Sequence, residues 1–176
     1  QSFGLPPLRV AVNLSGRQFQ QFNLLEKVVE LLTRTGIDPH YLDLELTERI
    51  IIQQVEQNIA TLQKLKSLGI QISIDDFGTG YSSLNYLKQF PFDTLKIDQC
   101  FVRNIASDPK NAAITSAMIQ MAHGLNLKVI AEGVETEAEL AFLAQCECDE
   151  MQGYLFSRPI PKLEFEKLIF SGKCLN

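Results

Sequence analysis

Gln71-Ile72-Ser73-Ile74-Asp75-Asp76-Phe77-Gly78-Thr79-Gly80 sets out the pattern that the rest of the chain repeats. Gln71–Asp75 (QISID) is β-rich and apolar until its end, where a carboxylate breaks the rule. A second carboxylate and a glycine-rich loop follow. Upstream, Arg9–Asn13 (RVAVN) ends in an amide, and Leu42–Leu46 (LDLEL) carries Glu45, with Glu48 one turn later. Downstream, Thr94–Asp98 (TLKID) carries Lys96 and Asp98, and Lys128–Glu132 (KVIAE) ends at Glu132 with Glu135 behind it. Met151–Phe156 (MQGYLF) opens with Gln152.

Helical patterns separate these runs. Leu24–Thr35 has apolar residues at helical spacing and Gly36 as a C-terminal stop. Gln54–Leu68 ends at Gly69, and Asn111–His123 ends at Gly124. Thr136–Gln145 and Lys162–Phe170 follow the fifth and sixth strands, and Ser82–Phe90 is a shorter helical stretch after the third. Alternating strand and helix imply parallel strands with right-handed crossovers. That leaves an open doubly wound sheet or a (β/α)8 TIM-like barrel. An open sheet gathers its polar groups at one crevice between two strands. A barrel collects them from every strand at its C-terminal face. Six strand ends carry polar groups here, so the sequence predicts an α/β (β/α)8 barrel. It is an incomplete one, with about six βα units over residues 1–176, and the missing first strands are expected to precede Gln1.

The chain has 176 residues, 45% hydrophobic and 21% charged, as an ordinary globular domain has. No apolar run approaches the ~20 residues of a membrane span. A cytoplasmic location is expected, with any membrane anchor of the parent outside this segment. The net charge is −5 and no Lys/Arg run is present, which argues against duplex nucleic acid as a partner. Cys146 and Cys148 form a C-x-C whose spacing does not suit zinc, and neither histidine is near it in sequence. Free thiols are expected.

Asn13, Glu45, Asp75, Asp76 and Glu132 converge on one rim in such a barrel. So many carboxylates repel one another unless a cation intervenes. A ligand set of oxygens without His or Cys points to Mg²⁺ or Mn²⁺. The adjacent Asp75 and Asp76 suit two ions, which together polarise a phosphoryl oxygen and generate hydroxide from water. Lys96, the basic group among the strand ends, holds the attacking water or steadies developing negative charge. Each residue also has a plainer reading. The Asp pair could cap a helix, Glu45 could belong to a buried ion pair, and Glu48 could be an exposed helix-start acid. Asn13 and Glu132 could be turn formers, and Lys96, Arg17 and Arg158 surface charges. Met118 and Met121 read as core. Gly78, Thr79 and Gly80 read as a mobile loop covering the metals, because the third glycine of a dinucleotide fingerprint is missing.

At these positions the chain resembles the EAL-domain family of cyclic di-GMP phosphodiesterases. The matching blocks are Asn13-Leu14-Ser15-Gly16-Arg17-Gln18-Phe19, Glu45-Leu46-Thr47-Glu48, Asp75 through Leu84, Leu95-Lys96-Ile97-Asp98, Ala131-Glu132-Gly133-Val134-Glu135 and Gln152 through Pro159. The resemblance implies a barrel with one irregular strand, two Mg²⁺ or Mn²⁺ ions, and hydrolysis of cyclic di-GMP to linear pGpG in bacterial second-messenger signalling. By position it makes Asn13, Glu45 and Asp75 ligands of one metal, and Asp75, Asp76 and Glu132 the group around the other. It makes Lys96 the holder of the catalytic water and Glu132 a candidate base. Glu48 becomes the anchor of the Asp75–Ser83 loop, and Gln152 a positioning amide. Asp98, Glu135 and Arg158 join Gln152 as substrate-binding candidates. The Glu-Ala-Leu signature itself is absent, so the segment alone is expected to bind metal poorly. The resemblance also implies an upstream sensor or GGDEF domain.

Two other readings compete with the hydrolase. A catalytically silent cyclic di-GMP receptor would have lost metal ligands, whereas here all the downstream positions are kept. A Schiff-base aldolase would use Lys96 as its nucleophile. A barrel short of strands exposes a sheet edge, so a homodimer or strand-swapped contact is expected there.

Overall fold

The computed structural model describes residues 8–80 and 87–171. Among these, six strands form one sheet in the order of the chain: β1 (Val10–Asn13), β2 (Leu42–Thr47), β3 (Gln71–Phe77), β4 (Thr94–Ile97), β5 (Lys128–Glu132) and β6 (Glu150–Gln152). Every neighbouring pair is parallel. A doubly wound sheet reverses its strand order at a switch point. This order never reverses, and the sheet curls into a half-barrel with α/β connections.

The helices are α1 (Gly16–Phe19), α2 (Leu24–Thr35), α3 (Glu48–Ile51), α4 (Val55–Ser67), α5 (Gln99–Val102), α6 (Pro109–Gly124), α7 (Glu137–Gln145) and α8 (Lys162–Phe170). The bounds of α2 and α8 are those the periodicity predicts. α6 is longer at both ends. Asp108 caps it by accepting from the N–H groups of Lys110 and Asn111, and Gly124 stays helical rather than ending it. The short α1, α3 and α5 have too few residues for a period to show. The helix expected over 82–90 falls partly on residues 81–86, outside the described residues.

Strand alternation divides the sheet into two faces. Leu44 and Leu46, Ile72 and Ile74, Leu95 and Ile97, Val129 and Ala131 are buried and belong to one core with Leu62, Leu65, Ile119 and Leu143 of the helices. Met118 and Met121 pack against that core, as expected. The other face carries Asp43 and Glu45, Ser73 and Asp75, Thr94 and Lys96, and Glu132. This corrects one expectation. The strands are not apolar up to their ends; the inner face is polar along much of its length. Below the rim, Ser73 Oγ donates to Asp43 at 2.8–2.9 Å. Burial, only partly offset by Ser73, pushes the Asp43 carboxyl above its usual range.

The sixth strand is also shorter than predicted, Glu150–Gln152 rather than Met151–Phe156. Gly153 lies against the backbone of Val134, where no side chain fits. The chain then brackets Val134 instead of extending the sheet: Val134 N–H donates to Gln152 O at 3.1 Å, and Leu155 N–H to Val134 O at 3.0 Å.

Candidate functional site

The third strand shows how two adjacent aspartates come to serve one site. Strict alternation would send Asp75 and Asp76 to opposite faces. Between Ile74↔Leu95 and Phe77↔Ile97, β3 advances one residue more than β4, so a bulge falls at the Asp pair. Asp76 sits there at φ 53°, in the left-handed region. Bulges next to active sites re-aim side chains in this way. As a result Asp75, Asp76 and Glu132 each offer a carboxylate oxygen within 4.8 Å of the others.

Lys96, on β4 between the strands that carry these acids, ties the group together. Its Nζ lies 2.7 Å from Glu45 Oε1, 2.7 Å from Glu132 Oε1 and 3.2 Å from Asp75 Oδ1, with the lysine side chain 5% exposed. Burial works against the ammonium, but hydrogen bonds to Glu132 and Glu45 and the nearby charges outweigh it, holding the lysine charged well above its ordinary pKa. The acids are not all satisfied. Burial, with Asp75 and Glu45 adding to it, keeps the Glu132 carboxyl above its usual range despite Lys96. Burial and the charges of Asp75 and Asp98 raise Asp76 as well. Asp75 Oδ1 is buried with a charge partner at 3.2 Å but no hydrogen bond. Three carboxylates thus share one lysine, and Asp76 stands beside them without an ion pair to it. Crowded oxygen donors without His or Cys, one of them an unbonded buried oxygen, are what a hard divalent cation satisfies. The residues present fit such an ion.

The other expected residues are placed as follows. Asn13 stands level with Glu45 in the β1–β2 register, at the exposed end of β1. Glu48, 1% exposed, accepts from Gly78 N–H at 3.3 Å through Oε2. A Cβ on Gly80 would lie 2.6 Å from its Oε1, so the loop runs against this carboxylate. Thr79 closes the turn by donating through Oγ1 to Asp76 O at 2.9 Å. Asp98, Glu135 and Gln152 line a cavity of about 280 Å³ together with Asp76 and Glu132. Asp98 also caps α5, accepting from Cys100 N–H at 2.8 Å. Arg158 does not line that cavity. It stacks 4.6 Å from the Tyr154 ring centre and lines a neighbouring hollow of about 580 Å³. Arg17 is exposed on α1. Residues 81–84 of the matching block lie outside the described residues.

Two residues near the site, Arg103 and Glu139, lie in no matching block, and Tyr154 lies in one without having been singled out. Arg103, at the end of α5, and Tyr154 line the same cavity as Asp76. Glu139 is a buried acid on the first turn of α7. Alternation along LDLEL could have flagged the buried Asp43; nothing comparable marks Arg103. Cys100, Cys146 and Cys148 are free thiols. Burial, with Asp98 next, pushes Cys100 up to about 11, and burial does the same for Cys148. Cys174 lies outside the described residues. No described helix is long and apolar enough to cross a membrane.

The EAL domain family model matches residues 1–159. The chain is 44% identical over 162 residues to cyclic di-GMP phosphodiesterase NbdA of Pseudomonas aeruginosa, covering 92% of this chain and 21% of that protein. It superposes on the c-di-GMP complex of the PaMucR phosphodiesterase with a TM-score of 0.86 at 44% identity, covering 89% of this chain and 64% of that one. It superposes on the manganese and cy-diGMP complex of Klebsiella pneumoniae BlrP1 with a TM-score of 0.81 at 32% identity, covering 90% of this chain and 40% of that one. The chain spans between 20% and 24% of the length of the first curated relatives it matches.

Proposed function

The chain belongs to the EAL domain family, and from that premise we propose that it supplies much of the active site of a cyclic di-GMP phosphodiesterase. The reaction adds water across one P–O ester bond of the cyclic dinucleotide and yields linear pGpG. The observation that carries the reading is the meeting of Asp75, Asp76 and Glu132 within 4.8 Å on a rim whose one lysine is already shared by three acids.

Asn13, Glu45, Asp75, Asp76 and Glu132 would hold Mg²⁺ or Mn²⁺ in a two-ion site. Bound ions polarise the phosphodiester and make water acidic. The chain's own residues do the rest. Lys96 stays charged in its buried setting and donates to the attacking water or to the developing negative charge. Glu132, on the strand beside Lys96 and 2.7 Å from its Nζ, is placed to accept the proton the water loses. Asp98, Glu135 and Gln152 line the cavity where the dinucleotide would lie. Glu48 holds the Gly78–Gly80 turn against the site. Val10 and Val12 are exposed on β1, which supports a homodimer or strand-swapped contact at that edge; sedimentation velocity tests it.

The test is turnover by the full parent domain with Mn²⁺. Release of pGpG, lost in Glu45→Ala and Lys96→Ala, is expected. Tight cyclic di-GMP binding without product would instead select the silent-receptor reading.

A further inference from the structure

Glu139 is a buried carboxylate to which the chemistry above assigns nothing. It is 6% exposed on the first turn of α7. Its Oε2 accepts from Glu135 N–H and Thr136 N–H, both at 2.9 Å, and its Oε1 accepts from Asn104 N–H at 3.1 Å. A capping box accounts for the bond to Thr136, the residue that caps α7. The other two bonds are additional. Asn104 is 35 residues away in sequence, in a different βα unit, and sits at φ 58° in the turn that leaves α5.

Both ends of this bridge border the candidate site. Glu135 and Arg103, the neighbour of Asn104, line the cavity of Asp76 and Glu132. The loop between Glu132 and Glu135 is further held by Val134, which exchanges hydrogen bonds with Gln152 and Leu155. Burial opposes the charge on Glu139, yet the backbone N–H groups from Glu135, Asn104 and Thr136 hold its carboxyl below the usual range. Removing the carboxylate leaves three N–H groups short of an acceptor in a nearly closed space.

We infer that Glu139 is a positioning residue that fixes the exit of β5, with Glu132 and Glu135, against the exit of α5, with Arg103, and thereby sets how tightly the carboxylate rim holds a divalent cation. The inference rests on the metal-dependent reading of the rim. Groups that orient metal ligands from behind change metal affinity by about 10–100-fold when removed.

The experiment is Mn²⁺ titration of the full-length parent protein, its Glu139→Gln and its Glu139→Ala variants, with folding checked by circular dichroism. Glu139→Gln keeps one carbonyl oxygen as acceptor and turns an amide donor toward one of the three N–H groups. It is expected to bind Mn²⁺ at least fivefold more weakly than wild type, and Glu139→Ala more weakly still. kcat should fall because the ligands move, and KM should rise with it because Glu135 and Arg103 line the dinucleotide cavity. A cap alone would lower the melting temperature and leave Mn²⁺ affinity unchanged. A loss of less than fivefold in folded Glu139→Gln overturns the inference, even if Glu139→Ala fails to fold. Wild type that binds Mn²⁺ but releases no pGpG would instead sink the phosphodiesterase reading and leave this one standing.

Discussion

Asp93 and Asp149, at the N-terminal ends of the strands, and Asp75 and Asp76, at the C-terminal ends, are the same residue in opposite situations. Asp93 precedes β4, accepts from Ile72 N–H of β3 at 2.9 Å and pairs with Lys66 of α4 at 2.6 Å. Asp149 precedes β6, accepts from Val129 N–H of β5 at 2.8 Å and pairs with His123 of α6 at 2.9 Å. The two are built alike. Each takes the second N–H of the preceding strand and a basic side chain from the helix before that strand. At the other rim Glu45, Asp75 and Glu132 share Lys96, and the nearest charges to Asp76 include two more acids. The lower rim satisfies its charges from within and serves stability, as that face does in barrels. Among the described residues the upper rim sets Glu45, Asp75, Asp76, Asp98 and Glu132 against Lys96 and Arg103, which suits it to a cation from outside.

Replacing the shared lysine should give the largest effect. In Lys96→Met the buried Glu45 and Asp75 and the half-buried Glu132 lose the base they share. Removing one partner of a buried ion pair costs about 3–5 kcal/mol. Urea unfolding in EDTA should show a loss of that order, and Mn²⁺ should recover part of it by taking the lysine's place as counter-ion. A variant as stable as wild type in EDTA would mean that the upper acids neutralise themselves by taking up protons.

Asp76→Asn should move stability the other way. The raised Asp76 carboxyl shows that the fold resists its charge. Asparagine also accepts the left-handed backbone at that position. The unfolding free energy in EDTA should rise modestly, since solvent screens part of the repulsion at this half-exposed group. Mn²⁺ affinity and pGpG release should fall together. A destabilised variant would show that Asp76 contributes to the fold in the absence of metal, and would blur the contrast between the rims.

How much of this the sequence carried differs between the rims. The upper acids were legible because each interrupts an apolar run at a strand end, and the monotonic strand order follows from polar groups at every strand end added to the alternation of strands and helices. What the sequence could not carry is register. The bulge that brings Asp76 beside Asp75 depends on how β3 meets β4. The bond from Glu139 to Asn104 joins two units far apart in the chain. Asp43 was passed over because a strand with one polar face was read as apolar up to its end. Asp93 and Asp149 carry no local signal, since an acid just before a strand looks like any turn former.

The smallest effect expected is on the acid limb of the stability curve, and there the two rims should differ in sign. Burial acts against the Asp149 carboxylate, but the bonds from His123 and Val129 N–H outweigh it and set its pKa below the usual 3.8. A group lowered in the fold contributes stability that is present above its unfolded value and is lost as pH falls through the folded one. Asp76 and Glu132 are raised, so their contribution is present below the unfolded values and is lost as pH rises through the folded ones. Urea unfolding in EDTA, from neutral pH down to about pH 3, separates them. Asp149→Asn should be less stable than wild type at neutral pH and converge on it toward the acid end, as the wild-type carboxylate takes up its proton. Asp76→Asn should be more stable at neutral pH and lose that advantage on acidification, as the wild-type Asp76 is relieved of its charge. Because Asp149 is solvent-exposed, its difference should shrink in high salt. The contribution of the half-buried Asp76 and Glu132 should be screened less, so salt tells a local latch at one rim from a crowded carboxylate group at the other.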